Sequence, residues 1–341
     1  MTEPVVTPLR NGFDVLFLDL DGTVYQGPDV IPGAREALAA GDQRQLYVTN
    51  NASRSPSAVA QHLRELGFDA ADQDVVTSSQ SAARLLSEKL APGAVVLVVG
   101  TDALAAEVEN VGLRPVRRFA DSPVAVVQGH SPATDWAILA EATLAIRSGA
   151  LWIAANIDST LPTERGLVLG NGSMVAALRT ATGREPIVAG KPAAPLMEDA
   201  LSRAGEARPL VVGDRLDTDI AGANAVGAES LLVLTGVSTT ADLLRADAMH
   251  RPTYVAESLD ALNRPAAASA VACHPGWRVE LASGDLVVRW DGAESVGASH
   301  VDRAKAFLSV LDAAWRHPEF VRVRAADDDA RAAVSFLLGE M

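Results

Sequence analysis

Short, uninterrupted apolar runs recur along the chain, each closed by Gly, Asn, Thr or Asp and followed by a segment of helical periodicity. The runs are Val15–Leu18, Gln45–Val48, Val95–Gly100, Val124–Gly129, Leu151–Ala155, Ile187–Ala189, Pro209–Val212 and Ser230–Leu234. Runs of this length without polar alternation predict strands covered on both faces, as in parallel sheets. Helices are predicted between them over Ala34–Ala40, Ser57–Leu66, Thr101–Asn110, Asp135–Ser148, Ser173–Leu178, Pro195–Ala204 and Ile220–Val226. Such alternation is the pattern of an α/β fold. Ala71–Leu90 reads as a helical passage in which Ser78–Ser87 serves as a linker. Asn156–Gly172, with Pro162 and several glycines, reads as irregular, and Tyr254-Val255 as a short edge strand.

The pattern changes after Asn263–Ala270, a Pro/Ala-rich stretch that reads as a linker. Beyond it, Trp277–Leu281 and Leu286–Trp290 flank Ala282-Ser283-Gly284-Asp285, a hairpin signal. Helices are expected over Val301–Arg316 and Ala330–Leu338. Trp277, Trp290 and Trp315 are expected to fill a core or an interface. The predicted architecture is a Rossmann-like, doubly wound parallel sheet with an inserted α/β cap and a small α+β C-terminal extension. Its expected boundaries are 1–80 and 185–263 for the core, 81–184 for the cap and 271–341 for the extension.

Composition narrows the classes. The 341 residues are 48% hydrophobic and 21% charged, which suits globular domains, and only 4% aromatic, so Val, Leu and Ala must build the cores. A net charge of −14 without a Lys/Arg block argues against nucleic-acid partners. No run approaches the roughly 20 apolar residues of a membrane span, and Met1–Gly12 lacks a signal-peptide core. The single Cys273 permits neither an intramolecular disulfide nor a thiolate zinc cluster, which fits the cytoplasm.

Polar residues gather where the strands end: Asp19 and Asp21, Thr49 and Asn50, Lys191, and Asp214 with Asp219. Each has an ordinary explanation as a turn residue, helix cap or surface charge. In open α/β sheets, however, ligands bind outside the carboxyl ends of the strands. Asp19 and Asp21, two apart on an extended segment, point the same way. Adjacent carboxylates repel and need a cation or a shared proton. Oxygen ligands suit a hard cation, and Mg²⁺ typically keeps waters and a phosphate oxygen in its shell. Lys, Thr and Asn complete the donor set for a phosphate.

The order DLDGT (19–23), TNN (49–51), GKP (190–192) and GDRLDTD (213–219) resembles the four motifs of the haloacid dehalogenase superfamily phosphatases. TNNASRSP and NIDSTLPTERGLVLGNGSMVAAL, with a large segment between the second and third motifs, resemble the NagD-like and p-nitrophenyl phosphatase branch. The resemblance covers about residues 13–262 and not the extension. It implies Asp19 as nucleophile, Asp21 as general acid and base, and Mg²⁺ held by Asp19, Asp21 (through its carbonyl) and Asp214. It further implies phosphate binding by Thr49, Asn50 and Lys191, with Asp217 and Asp219 as supporting residues. In the cap, Asp158, Thr160, Thr163 and Arg165 are expected to face the leaving group. Ser131 and Trp136 stand where the family often has Asp and Tyr. The partner expected is a small phosphorylated metabolite, with glycerol 3-phosphate or 2-phosphoglycolate preferred for want of a stacking surface and a homodimer left open. Broader turnover of pyridoxal phosphate, nucleotides or sugar phosphates, a phosphomutase, and a non-catalytic phosphate or metal sensor are the alternatives.

Overall fold

The structure is a computed structural model and describes residues 7–163, 165–292 and 300–338. The reading of the N-terminal segment over residues 1–6 lies outside the described residues. By its internal contacts the chain forms two compact units, one of residues 1–26, 30–44 and 207–341, the other of 27–29 and 45–206.

In the first unit four parallel strands lie in the order Tyr254–Ala256, Glu229–Val233, Pro209–Gly213, Val15–Leu18. Their registers pair Leu231 with Tyr254, Leu210 with Glu229, and Val15 with Pro209. Val15–Leu18 is buried at every position, as its lack of alternation predicts. The stretch expected to be a linker is instead docked. Val255 N–H donates to the Ser269 carbonyl at 2.8 Å, Tyr254 and Ala270 form an antiparallel bridge, and Leu9 N–H donates to the Arg264 carbonyl at 2.7 Å. Ala and Pro offer no large side chain to obstruct such edge pairing, so their abundance did not signal a free segment.

The extension shares this unit's core. Its hairpin, Trp277–Ala282 and Asp285–Trp290, turns at Ser283 (φ 52°) and Gly284 (φ 85°), two successive left-handed residues as a type I′ turn requires. Val323–Ala325, a strand missed by the sequence reading, adds in parallel to the hairpin's second strand. The helix His300–Arg316 and the helix Asp328–Val334 cover this sheet. Leu243, Leu244 and Val255 of the core sit in one apolar cluster with Trp277, Leu286, Phe307 and Leu311 of the extension. Trp277 is buried against Trp290 at 4.9 Å between centroids, and Trp315 Nε1–H donates to the Leu243 carbonyl at 2.9 Å. Arg245 donates to the Phe320 and Val321 carbonyls at 2.8 and 3.1 Å. All three tryptophans therefore serve packing, as expected.

In the second unit, Arg44–Thr49 and Val75–Thr77 pair in parallel. A five-stranded sheet lies in the order Ile187–Val188, Leu151–Ala154, Ala125–Gln128, Val95–Val99, Arg114–Val116, parallel throughout. Successive residues of Val95–Val99 enter opposite cores: Val96 and Val98 join Leu85, Leu86 and Leu104, whereas Leu97 and Val99 join Ile146, Trp152 and Leu178.

Three expectations need correction. Ile187–Val188 does not return to the first sheet but pairs with Ile153–Ala154. A strand two residues long carries too little pattern to choose its sheet. Ser78–Ser87 is no linker: Ser78–Lys89 is a helix opened by a capping box, with Gln80 N–H to Thr77 Oγ1 at 3.3 Å and Thr77 N–H to Gln80 Oε1 at 3.1 Å. Ser78, Ser79 and Ser81 are small residues on its buried face. Asn156–Gly172 contains a hairpin, Thr160–Thr163 with Gly166–Leu169, whose apolar residues Leu167 and Leu169 are exposed. Without a buried face it has no alternation to read.

Candidate active site

In the first unit Asp19 follows the strand Val15–Leu18, its N–H bonded to the Val212 carbonyl at 2.9 Å. Leu20 is buried beside it, so Asp19 and Asp21 project on the other side of the chain. The turn after them rests on Gly22, whose φ of 92° suits glycine. A Cβ there would also meet Asp214 Oδ2 at 2.6 Å. Asp214, fully buried at the end of Pro209–Gly213, accepts from Val237 N–H at 2.7 Å. Thr235 Oγ1 donates to the Gly22 carbonyl at 2.6 Å, and a Cβ on Gly236 would meet Asp214 Oδ2 at 2.0 Å. The segment Thr235–Val237 thus cradles both aspartate-bearing turns. The sequence reading treated it only as a strand end.

Carboxylate oxygens of Asp19, Asp214 and Asp219 lie within 4.8 Å of one another. Asp214 and Asp219 are buried and Asp19 half-buried. Three carboxyl groups in so small a space need a cation or a shared proton between them, and an all-oxygen donor set of this kind fits a hard divalent ion. Asp219 thus joins the acidic group itself; its Oδ2 accepts Arg215 N–H at 3.1 Å, and Gly213 is kept side-chain-free by it. Asp21, exposed, stands beside this group in the chain and bridges to Tyr25.

Asp217 departs from expectation. It is exposed and holds Arg215 in a two-pronged pair, at 3.0 Å to Nε and 2.7 Å to Nη2. Residues 216–220 form a π-helical turn, so positions 217 and 219 project to different sides. Burial would push the Asp217 carboxyl up, but the hydrogen bonds and charge of Arg215 outweigh it and hold the group below the usual carboxylate range. Asp217 thus pairs with Arg215 and is not among the carboxylates that converge with Asp19.

In the second unit Thr49 ends its strand, buried, and accepts Asn51 N–H at 3.1 Å. Lys191 is almost wholly buried, its Nζ donating to the Val48 carbonyl at 2.9 Å. The Asn50 side chain is a hub. Its Oδ1 accepts Lys191 N–H at 2.8 Å; its Nδ2 donates to the Lys191 carbonyl at 3.0 Å and to Asp158 at 3.2 and 3.3 Å. The Asn50 backbone carbonyl accepts Ser78 Oγ and Asn156 Nδ2, both at 2.7 Å, and Asn171 Nδ2 in turn donates to the Asn156 backbone carbonyl at 2.7 Å. Ser78, Asn156 and Asn171 are buried polar residues that the sequence reading gave no role, although Asn156 and Asn171 lie in the NIDSTLPTERGLVLGNGSMVAAL stretch that resembles the phosphatase branch. Of the expected cap residues, Asp158 reaches this hub. Thr160, Thr163 and Arg165 lie on the exposed hairpin, where Thr163 Oγ1 serves the turn by donating to the Gly166 carbonyl at 2.8 Å. Trp136 is exposed, and Ser131 Oγ accepts Ala133 N–H at 3.2 Å.

Residues 16–114 match a family model described as haloacid dehalogenase-like hydrolase, and residues 188–262 a second, HAD-hydrolase-like model. The chain is 54% identical over 327 residues to the D-glycerol 3-phosphate phosphatase of Mycobacterium tuberculosis, covering 94% of this chain and 93% of that one. The chain belongs to the haloacid dehalogenase-like hydrolases. Within them it falls in the NagD-like phosphatase branch. The glycerol phosphate phosphatase of M. tuberculosis in complex with magnesium superposes with a TM-score of 0.92 at 53% identity, over 97% of this chain and 99% of that one. The p-nitrophenyl phosphatase from Archaeoglobus fulgidus gives 0.66 at 31% identity, over 73% of this chain and 98% of that one. About a quarter of this haloacid dehalogenase-like chain thus has no counterpart in the shorter phosphatase. Among the described residues, no helix is long and apolar enough to cross a membrane.

Proposed function

We propose that the protein is a magnesium-dependent phosphatase whose preferred substrate is D-glycerol 3-phosphate. The observation that carries this reading is the convergence of Asp19, Asp214 and Asp219 within 4.8 Å at the ends of parallel strands. Asp19 and Asp214, with the Asp21 carbonyl, would hold Mg²⁺, and Asp219 would fix the Arg215 turn beside it. When bound, Mg²⁺ neutralises the phosphate and the nucleophile so that the two anions can approach. Asp19 attacks phosphorus through a carboxylate oxygen, and the bond to the alcohol oxygen breaks. Asp21 gives its proton to the departing alkoxide. It then takes a proton from water, whose oxygen attacks the phosphorus of the Asp19 acyl-phosphate and releases phosphate. Thr49 and Lys191 bind the phosphate oxygens, and the Asn50 side chain holds the Lys191 backbone in place. Residues 81–184 act as the cap, and Asp158, with Thr160 and Arg165, meets the alcohol.

Support for the alcohol comes from the polar, non-aromatic composition of Asn156–Arg165 and from the 54% identity to a D-glycerol 3-phosphate phosphatase. A net charge of −14 disfavours nucleic-acid partners, and a single cysteine suits the cytoplasm. Initial rates with glycerol 3-phosphate, 2-phosphoglycolate, pyridoxal phosphate and nucleotide monophosphates, each with Mg²⁺ or EDTA, test the reading. We expect glycerol 3-phosphate to lead by about tenfold in kcat/KM, with no turnover in EDTA. Equal turnover of all four would refute the substrate, and an active Asp19→Asn enzyme would refute the mechanism.

A further inference from the structure

The turn Thr235-Gly236-Val237-Ser238 belongs to none of the four motifs, yet it bonds to both aspartate-bearing turns of the first unit. On one side, the Thr235 hydroxyl donates to the Gly22 carbonyl at 2.6 Å. The peptide before Gly22 is held separately, its N–H donating to the Tyr25 carbonyl at 2.8 Å. N–H and C=O point oppositely in a trans peptide plane, so that bond also aims the Asp21 carbonyl. Gly22, at φ 92° and without a Cβ, is the joint at which the two peptide planes could turn independently. The Thr235 bond stops the second plane and with it the joint.

On the other side, successive residues grip Asp214 at two points. Val237 N–H donates to its Oδ2 at 2.7 Å, and Ser238 N–H donates to its backbone carbonyl at 3.1 Å. The Ser238 hydroxyl accepts Leu216 N–H at 2.9 Å, which secures the chain between residues 214 and 216 against rotation. The gripping segment is itself tethered at both ends. Leu234 N–H donates to the Ala256 carbonyl at 2.9 Å, and Thr239 caps the helix Thr240–Leu244, whose Leu243 carbonyl accepts Trp315 Nε1–H.

We propose that Thr235 and Ser238 are positioning residues for the metal, Thr235 by aiming the Asp21 carbonyl and Ser238 by fixing the turn that carries the Asp214 carboxylate. The inference rests on the metal reading above, in which those two groups are ligands. Mg²⁺ demands near-octahedral geometry at about 2.1 Å, so ligands from distant parts of the chain must keep their spacing. One short, tethered segment bonded to both turns supplies that spacing. Ca²⁺ accepts more ligands at about 2.3–2.6 Å in less regular geometry and needs the spacing less. Loosening the segment therefore costs Mg²⁺ more than Ca²⁺, whereas a general loss of folding would cost both alike.

Calorimetric titration of the full-length, metal-stripped protein with Mg²⁺ and with Ca²⁺ tests the proposal, beside steady-state rates on glycerol 3-phosphate. We expect Thr235→Val and Ser238→Ala each to weaken Mg²⁺ binding about tenfold and Ca²⁺ binding by no more than about threefold. Thr235→Ser keeps the hydroxyl and should return Mg²⁺ affinity to within about twofold of wild type. At saturating Mg²⁺, kcat should fall about tenfold with KM within about twofold, because Thr49 and Lys191 are untouched. Thr143→Val removes a hydroxyl-to-carbonyl bond of 2.8 Å in a helix of the second unit and should leave both metals unaffected. Ser238→Ala decides alone should Thr235→Val fold poorly, since the two act on different turns. Equal losses for the two metals, unchanged Mg²⁺ affinity in the variants, or a Thr235→Ser protein no better than Thr235→Val would each overturn it. A wild type that neither binds Mg²⁺ nor needs it for turnover would overturn the metal reading and this inference with it, a result the unsubstituted protein reports by itself.

Discussion

Gly236→Ala isolates the cradle around Asp214 without touching any motif residue. The new Cβ would lie 2.0 Å from Asp214 Oδ2 and 2.5 Å from its Cγ. Ordinary contact requires the carboxylate to retreat by about 1 Å or more, and Asp214 is fully buried with no solvent to receive it. The bond from Val237 N–H, at 2.7 Å, is lost or stretched. A hydrogen bond to a charged group is worth about 1.5–3 kcal/mol, which sets the expected loss of stability. For turnover the displacement matters more, since a misplacement of about 1 Å at a reacting centre costs about 100-fold. We therefore expect kcat/KM for glycerol 3-phosphate to fall about 100-fold and the half-saturating Mg²⁺ concentration to rise about tenfold. Steady-state rates across a Mg²⁺ series, with thermal melts by circular dichroism, separate the two effects. Gly12→Ala, where a Cβ meets nothing within 4 Å, is the control. A Gly236→Ala enzyme within about threefold of wild type in both parameters would mean that Asp214 need not stay where it is, and the metal assignment would fall with it.

Three further outcomes follow. Asn50→Ala removes the hub that joins Asp158 to the Lys191 backbone, and kcat/KM should fall about 10–100-fold with the melting temperature lowered; unchanged kinetics would confine Asn50 to structure. Asp217 has a folded-state pKa below its unfolded value, so its pairing with Arg215 stabilises above the unfolded carboxylate pKa and is lost as pH falls through the folded one. Because Asp217 is exposed, Asp217→Asn should cost under about 1 kcal/mol at pH 7, with the difference from wild type vanishing in melts as pH falls below the usual carboxylate range, and kcat within about twofold; a large loss of kcat would restore Asp217 to the site. Truncation after Arg264 bares Leu243, Leu244 and Val255 and should yield an insoluble or molten chain by sedimentation and near-ultraviolet circular dichroism; a soluble, active fragment would show that the extension is an independent module.

Much of this protein was legible in its sequence because its candidate site residues follow strand ends. A strand such as Val15–Leu18, buried on both faces, must be apolar throughout, and the first polar residues after it must lie at the ligand-binding edge. That is why Asp19, Asp21, Thr49, Asn50, Lys191 and Asp214 stand out as candidates, and the four motifs carried the family. Local rules also placed the hairpin at Ser283-Gly284, because a two-residue turn with left-handed φ leaves a signature in four residues. What only the tertiary structure decided concerns partners distant in the chain. Nothing local tells Asp217 from Asp219; the π-helical turn sends one out to Arg215 and the other in to the acidic group. Nothing local assigns Ile187–Val188 to the sheet of Ile153, or joins Leu243 to Trp315. Gly236 is an unremarkable loop glycine until Asp214 is seen 2.0 Å from where its side chain would be. The sequence determines which groups can bind a phosphate and a metal, since that depends on side-chain chemistry and strand periodicity. The fold alone determines how rigidly they are held, since that depends on long-range packing and on buried polar groups that must find partners.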